Sequence, residues 1–184
     1  MMQSWFKEAK LGIFVHWGIY AVDRRGGESW PIANAAVSYD DYLKQMGRFT
    51  AAQYDPAAWA DLFARSGAKY AVLTTKHHDG VALWPTRQDG PSIPNQTGLP
   101  DLVGQYVEAV RRQGLRVGLY FSHTDWSNLD HMEVLAGTSR EKMLELRQQK
   151  VNYRELWGAS QREADLGDSP EFQAKWQRFL EFHR

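Results

Sequence analysis

The chain has 184 residues, enough for one domain of ordinary size, and its 43% hydrophobic and 24% charged residues are typical of globular proteins. Its 22 Lys and Arg balance its 22 Asp and Glu, so no basic surface favours nucleic acid or an anionic membrane. The absence of cysteine excludes disulfides and thiolate zinc sites. The N-terminus lacks the apolar run of a signal peptide, which predicts a cytoplasmic protein if Met1 is the true start.

Three segments have the character of buried strands that end in polar residues. In chain order they are LGIFVHWG (residues 11–18), AKYAVLTTKHHDG (residues 68–80) and LRVGLYFSHTDW (residues 115–126). Their apolar runs are continuous rather than alternating, which is typical of parallel strands that are covered on both faces.

A helix is predicted before the second of these strands. Asp55 is its expected N-cap, and it precedes an apolar stripe made of Trp59, Leu62 and Phe63. Gly67 is expected to end the helix just before the strand begins.

A second helix of the same design is predicted before the third strand. Asp101 is the expected N-cap, Leu102, Tyr106 and Val110 form the stripe, and Gly114 ends the helix. Strands and helices that alternate in this way predict right-handed crossovers and a parallel sheet.

The sequence after the third strand is polar and broadly helical, which predicts a long insertion. The segment SPEFQAKWQRFLEFHR (residues 169–184) then predicts a further helix with Ser169 as its N-cap. Such a helix is expected to lead to a fourth strand.

Polar residues lie at the carboxyl end of each predicted strand. Four of the six histidines are there, namely His16, His77, His78 and His123. Because ligands bind at the carboxyl ends of strands in parallel α/β folds, this pattern predicts a binding site.

The residue types at the strand ends favour polyol recognition. A neutral imidazole offers one donor and one acceptor, which suits sugar hydroxyls, and Glu28 can accept from a hydroxyl as well. A metal site built from strand-end histidines remains an alternative, although adjacent histidines on an extended strand point to opposite sides. Four tryptophans near the strand ends are candidates for covering the apolar face of a sugar ring: Trp17, Trp30, Trp84 and Trp126.

Three blocks of the sequence carry a resemblance to a known family. They are LGIFVHWGIYAV, AKYAVLTTKHHDGVALW and LVGQYVEAVRRQGLRVGLYFSHTDW. In this order and spacing they resemble the N-terminal half of the catalytic domain of α-L-fucosidases, glycoside hydrolase family 29, closely over residues 5–126 and loosely beyond. The resemblance implies that residues 1–184 form the N-terminal portion, about three βα units, of a (β/α)8-type TIM barrel that is incomplete.

The resemblance also implies a chemistry. Family members are retaining glycosidases of terminal α-L-fucosyl linkages, with a carboxylate nucleophile, a separate acid/base carboxyl and no cofactor or metal. The family nucleophile is an aspartate at the end of the next strand, so both catalytic groups are expected beyond Arg184 and none within this chain. Substrate-binding roles are implied for six residues: His16, Glu28, Trp30, His77, His78 and Tyr120.

One departure concerns the family's Glu–Trp pair, because Ser29 separates Glu28 from Trp30 here. Asp79 and Asp125 do not match the nucleophile's motif, and they are predicted to orient the histidines and to bond a loop, respectively. The implied partner is a fucosylated glycan or glycoside. Two other hypotheses are a non-catalytic fucose-binding module and a metal-dependent hydrolase that uses the strand-end histidines.

An incomplete barrel has a physical consequence. An open three-stranded parallel sheet leaves unpaired edges, so the 184 residues alone are expected to aggregate, to be inactive and to need the C-terminal half of the barrel.

Overall fold

A computed structural model describes residues 4–24, 26–160 and 169–182. It contains three strands, β1 (Gly12–Val15), β2 (Tyr70–Lys76) and β3 (Arg116–Phe121), which pair in parallel in the order β1-β2-β3. The prediction of an α/β fold with three parallel strands is therefore confirmed. The helices are α1 (Ser4–Ala9), α2 (Tyr20–Asp23), α3 (Trp30–Ala33), α4 (Tyr39–Leu43), a 3₁₀ helix (Lys44–Arg48), α5 (Pro56–Arg65), α6 (Ile93–Thr97), α7 (Leu102–Arg112), α8 (Leu129–Ala136), α9 (Arg140–Arg147), α10 (Tyr153–Ser160) and α11 (Pro170–Phe182).

The two crossover helices begin at the predicted caps. The carboxylate of Asp55 accepts from the backbone N–H of Ala58 at 2.9 Å, and that of Asp101 accepts from the N–H of Gly104 at 2.8 Å. Each cap satisfies one of the N–H groups that a helix start leaves without an intrahelical partner, a contribution of about 1 kcal/mol. The two helices end at Arg65 and Arg112, as the sequence predicts.

One face of the sheet packs against α5 and α7. Phe63 of α5 is buried, and so are the three stripe residues of α7 that the sequence predicts. Leu62 is 55% exposed, so its assignment to the buried face of α5 was wrong. Leu62 follows Trp59 by three positions, and the rotation of the helix directs its side chain away from the sheet. Phe63, one position later, packs against the sheet instead.

The opposite face of the sheet is only partly covered. Tyr70, at the amino end of β2, packs against Trp5 and Phe6 of α1, with ring centres 6.0 and 5.5 Å away. Phe14 on β1 points to this face and is 51% exposed. Leu119 on β3 points to the face that carries α5 and α7, but it lies on an edge strand and is also 51% exposed. The expectation that every strand is covered on both faces is therefore wrong for β1 and β3, and it fits only the central strand β2.

The segment after β3 forms α8, α9 and α10, as the prediction of a helical insertion requires. Helix α11 begins at Pro170, directly after Ser169, and Phe179 buries its ring beside His131 of α8 at 4.1 Å. The predicted continuation of this helix to residue 184 lies outside the described residues. No helix in the described part of the chain is both long enough and apolar enough to cross a membrane.

Candidate functional site

The chain turns sharply as it leaves β2, and this turn creates the candidate site. The pairing of β2 with β3 shifts register between Thr74 and Lys76, and the N–H of Gly80 then donates to the carbonyl of His77 at 3.0 Å. Gly80 has a φ of +79°, and a Cβ at this position would lie 2.5 Å from a carboxylate oxygen of Asp125. Only glycine fits such a conformation and so close an approach.

The turn brings both adjacent histidines to one place. The ring centres of His77 and His78 are 4.5 Å apart, whereas an extended strand would direct them to opposite sides. His16, which follows β1, lies 5.9 Å from His77. Tyr120 of β3 lies 6.1 Å from His16 and 6.0 Å from His77. These four side chains, which we call the histidine cluster, come from the ends of all three strands.

The loop before α3 and the first residue of that helix add two further predicted residues, Glu28 and Trp30. Trp30 lies 5.4 Å from the ring of His78, and the guanidinium of Arg154 covers the Trp30 ring at 4.9 Å. Glu28 is half-buried, and its charge acts on both His78 and Tyr20. The structure thus places all six predicted site residues at one edge of the sheet.

Ser29 takes part in the site although the sequence offered no signal for it. Its side chain is fully buried, and its Oγ lies 2.6 Å from Nδ1 of His77. The residue that separates the Glu–Trp pair is therefore the one that holds His77.

Phe14 is a second contributor that the sequence reasoning missed. Its ring lies 4.5 Å from His16 and 5.7 Å from Tyr120, which gives the cluster an exposed apolar wall. A signal existed, because residues two apart on a strand share a face and Phe14 is two positions before His16.

Burial keeps the two adjacent histidines neutral. Burial, with smaller contributions from the other histidines, lowers the pKa of His77 to about 3. Burial also lowers the pKa of His78, against opposing effects of the Thr124 carbonyl and of the carboxylates of Asp125 and Glu28. Both imidazoles are uncharged at neutral pH, and each therefore presents one donor and one acceptor.

Neither aspartate near the strand ends is available to attack a substrate. Asp79 is buried, and its carboxylate accepts from the Tyr42 hydroxyl at 2.7 Å and from the N–H of Val81 at 3.0 Å. Asp125 is fully buried in an ion pair with Lys76 at 2.5 Å and also accepts from the N–H of Ser127. Both carboxylates hold the loops that carry the histidines.

Three of the four candidate tryptophans offer no surface to a ligand in the cluster. Trp126 is fully buried, with its ring 5.3 Å from that of His78, so it supports the cluster from within the core and the idea that it covers a sugar ring was wrong. Trp17 stacks on Tyr54 at 4.6 Å and belongs to the packing around α5. Trp84 lines a separate cavity of about 320 Å³ beside Phe121. Trp30 is the tryptophan that remains for a ligand.

His123 lies apart from the cluster. It is exposed, and its ring is 5.4 Å from that of Phe121, which lines the separate cavity. Within the described part of the chain, no group of three or more His, Cys, Asp or Glu side chains is arranged to hold a metal ion.

Comparison with known proteins decides the family. The sequence profile described as Alpha-L-fucosidase matches residues 1–173. The chain belongs to the α-L-fucosidase family. The tissue alpha-L-fucosidase of Bos taurus is 38% identical over 141 residues, which cover 68% of this chain and 30% of that protein.

Solved structures of the family share the fold. An alpha-L-fucosidase GH29 from Bacteroides thetaiotaomicron, described as a trapped covalent intermediate in complex with 2-fluoro-fucosyl fluoride, aligns with a TM-score of 0.72 at 29% identity, over 97% of this chain and 35% of that one. The alpha-fucosidase of Thermotoga maritima in complex with fucose aligns with a TM-score of 0.60 at 29% identity, over 97% of this chain and 50% of that one. The matched part of the chain spans 30% of the length of the Bos taurus relative.

Proposed function

We propose that this chain is the N-terminal part of the catalytic domain of a retaining α-L-fucosidase that hydrolyses terminal α-L-fucosyl linkages of glycans or glycosides. Residues 1–184 form about three βα units of a (β/α)8-type barrel in this proposal, and the rest of the barrel completes the sheet. The limited share of each relative that the chain covers supports a larger catalytic domain.

One observation carries the proposal. Six residues that the family resemblance implies as sugar-binding come from four separate stretches of the chain and lie together at one sheet edge. Residues that served unrelated structural roles would have no reason to converge at the carboxyl ends of the strands, where parallel α/β folds bind ligands.

The chemistry of these side chains suits a deoxysugar. His77 and His78 are neutral hydrogen-bonding groups, and Glu28 adds an acceptor beside them. Phe14 and Trp30 offer apolar surface for the C–H groups of the ring and for a methyl substituent. In this proposal the cluster binds and orients the fucosyl group and breaks no bond itself.

The catalytic carboxylates are proposed to lie in the part of the barrel beyond this chain. Asp79 and Asp125 are already held by loop contacts, which supports their exclusion as nucleophile and acid/base. The covalent intermediate named for the Bacteroides thetaiotaomicron relative supports double displacement, in which one carboxylate attacks the anomeric carbon and the other protonates the leaving oxygen. We also propose a cytoplasmic location, which cell fractionation would test.

Hydrolysis of an aryl α-L-fucoside by the protein as its gene encodes it tests the proposed function. The expected result is turnover with the α-anomer of L-fucose as the first product in proton NMR. The β-anomer would contradict a retaining mechanism, and fucose binding without turnover would favour a non-catalytic module. Activity that disappears with a chelator and returns with added metal would favour the metal-dependent hydrolase.

A further inference from the structure

The loop after β3 holds one edge of the His78 ring. Nδ1 of His78 lies 2.5 Å from Oγ of Ser122 and 3.4 Å from the carbonyl oxygen of Thr124. The Ser122 Oγ lies 2.7 Å from the same carbonyl oxygen. The three groups form a closed triangle, and Ser122 is buried within it.

Only one distribution of protons satisfies this triangle. The Thr124 carbonyl can only accept, so the single hydroxyl proton of Ser122 points to it. The Ser122 oxygen then accepts, and the proton between it and His78 belongs to Nδ1. Because burial keeps the imidazole neutral, Nε2 of His78 carries a lone pair and no proton.

The free nitrogen is on the edge of the ring that the loop leaves open. Within residues 4–24, 26–160 and 169–182, no hydrogen-bond partner contacts Nε2 of His78, and the side chain is half-buried beside His77 and Trp30. A ligand in the histidine cluster would meet this nitrogen as an acceptor.

We infer that Ser122 is a positioning residue that fixes Nε2 of His78 as an acceptor, so that the ligand hydroxyl facing it must donate its proton. The inference rests on the proposed function for the identity of the ligand, a fucosyl group. It deepens that function by assigning a direction to one hydrogen bond of the site.

His77 provides the contrast. Its Nδ1 faces the hydroxyl of Ser29 at 2.6 Å, and among the described residues no carbonyl fixes the direction in which that hydroxyl points. Ser29 can donate or accept, so His77 can present either a donor or an acceptor to the ligand. The site therefore combines one strict acceptor with one adaptable group.

Nitrogen NMR of the ¹⁵N-histidine-labelled protein, as its gene encodes it, tests the proton positions without a ligand. We expect a protonated Nδ1 and an unprotonated Nε2 for His78 at neutral pH. A protonated Nε2 would overturn the inference. An Nδ1–H on His78 in a protein that does not hydrolyse fucosides would contradict the proposed function alone and support the role of Ser122.

Two variants test the serine itself. Ser122→Ala should shift the His78 signals toward the Nε2–H form and raise the KM for an aryl α-L-fucoside about fivefold, since about 1 kcal/mol is lost with one hydrogen bond. Ser122→Thr keeps the hydroxyl and should retain the native spectrum. Ser66→Ala, which also removes a hydroxyl that donates to a backbone carbonyl, is the control outside the site. An unchanged His78 spectrum in Ser122→Ala would overturn the inference.

Fluorinated sugars test the direction of the bond. Fluorine replaces a hydroxyl at similar size but cannot donate, so one of the monofluoro-deoxyfucoses should bind at least tenfold more weakly than fucose. The difference should vanish in His78→Ala. If fluorine at every ring position lowered the binding affinity of the native protein and of His78→Ala by the same factor, the assignment of Nε2 as the acceptor would be contradicted.

Discussion

His77 and His78 are the residues on which recognition of the sugar depends. Each supplies a neutral hydrogen-bonding group, and loss of such a contact costs about 1–3 kcal/mol. We expect His77→Ala and His78→Ala to lower kcat/KM for an aryl α-L-fucoside about tenfold to a hundredfold, with a cooperative melt retained. His123→Ala, at a strand end but outside the cluster, is the matched control. Unchanged kcat/KM in both cluster variants would contradict their binding role.

Asp79 makes the stability of the fold depend on pH. Burial raises the pKa of its carboxyl from 3.8 to about 6, so between these values the folded chain holds a proton that the unfolded chain releases. The contribution of Asp79 to stability therefore falls as pH rises from about 4 to about 6 and is constant above.

His77 acts in the opposite direction. Because its pKa is lowered from 6.5 to about 3, its contribution to stability is present above pH 6.5 and is lost as pH falls toward 3. Asp79→Asn removes the titrating carboxyl and leaves His77 in place. The difference in unfolding free energy between the native protein and this variant therefore isolates the effect of Asp79. Relative to this variant, the native protein should lose up to about 3 kcal/mol of unfolding free energy between pH 4 and pH 7, measured by urea denaturation. If the unfolding free energies of the native protein and the variant changed in parallel with pH, the raised pKa of Asp79 would be contradicted.

At the residue scale, the sequence identified candidate side chains for the site better than it identified the side chains that hold them in place. His16, His77 and His78 could be proposed as site residues because four of the six histidines fall at the carboxyl ends of predicted strands, where parallel α/β folds bind ligands. Ser29 could not, because a serine in a polar loop has no pattern that marks it as the partner of a histidine 48 positions away. Trp126 was assigned to the ligand when it is fully buried, since sequence gives no means of telling a core tryptophan from a surface one.

At the scale of elements, the turn at residues 77–80 decides the geometry of the site. Gly80→Ala adds a methyl group where the backbone has a φ of +79° and where Asp125 and Ser127 lie within 2.5 Å. We expect a loss of about 2–4 kcal/mol of unfolding free energy, from backbone strain together with overpacking. The measurement is urea denaturation of the protein as its gene encodes it.

Gly98 provides the control for this turn. It has a φ of +75°, but no atom of the described residues lies within 4 Å of an added Cβ, so Gly98→Ala carries the backbone strain alone. A loss of about 1 kcal/mol is expected there. Equal losses in the two variants would show that the close approach to Asp125 contributes nothing.

The elements themselves were largely predictable, because their signals are local. Asp55 and Asp101 mark helix starts through bonds that span three residues, and both appear in the structure. The turn after β2 could be raised only as a condition for His77 and His78 to face one ligand, because it depends on a register shift against β3, more than 40 positions further along the chain. That shift allows His77 and His78 to share one site, against the alternation of an ideal strand.

At the scale of the whole molecule, the sheet has surfaces that a complete barrel would cover. Phe14 and Leu119 are each 51% exposed, and β1 and β3 form its two edges. Unpaired edges with apolar side chains template association with other chains. We expect the 184 residues alone to form oligomers or aggregates in light scattering and to lack a sharp melt in calorimetry. A monomer with a cooperative transition would contradict the proposal that this chain needs the rest of a barrel.

The central claim is that the histidine cluster binds the fucosyl group. A crystal structure with L-fucose, determined on the protein as its gene encodes it, tests this claim most directly. We predict that the sugar lies in the histidine cluster, with its hydroxyls within about 3 Å of Nε2 of His78, of His77 and of the carboxylate of Glu28. Fucose bound elsewhere, such as in the cavity beside Trp84, with the histidine cluster holding only water, would contradict the account.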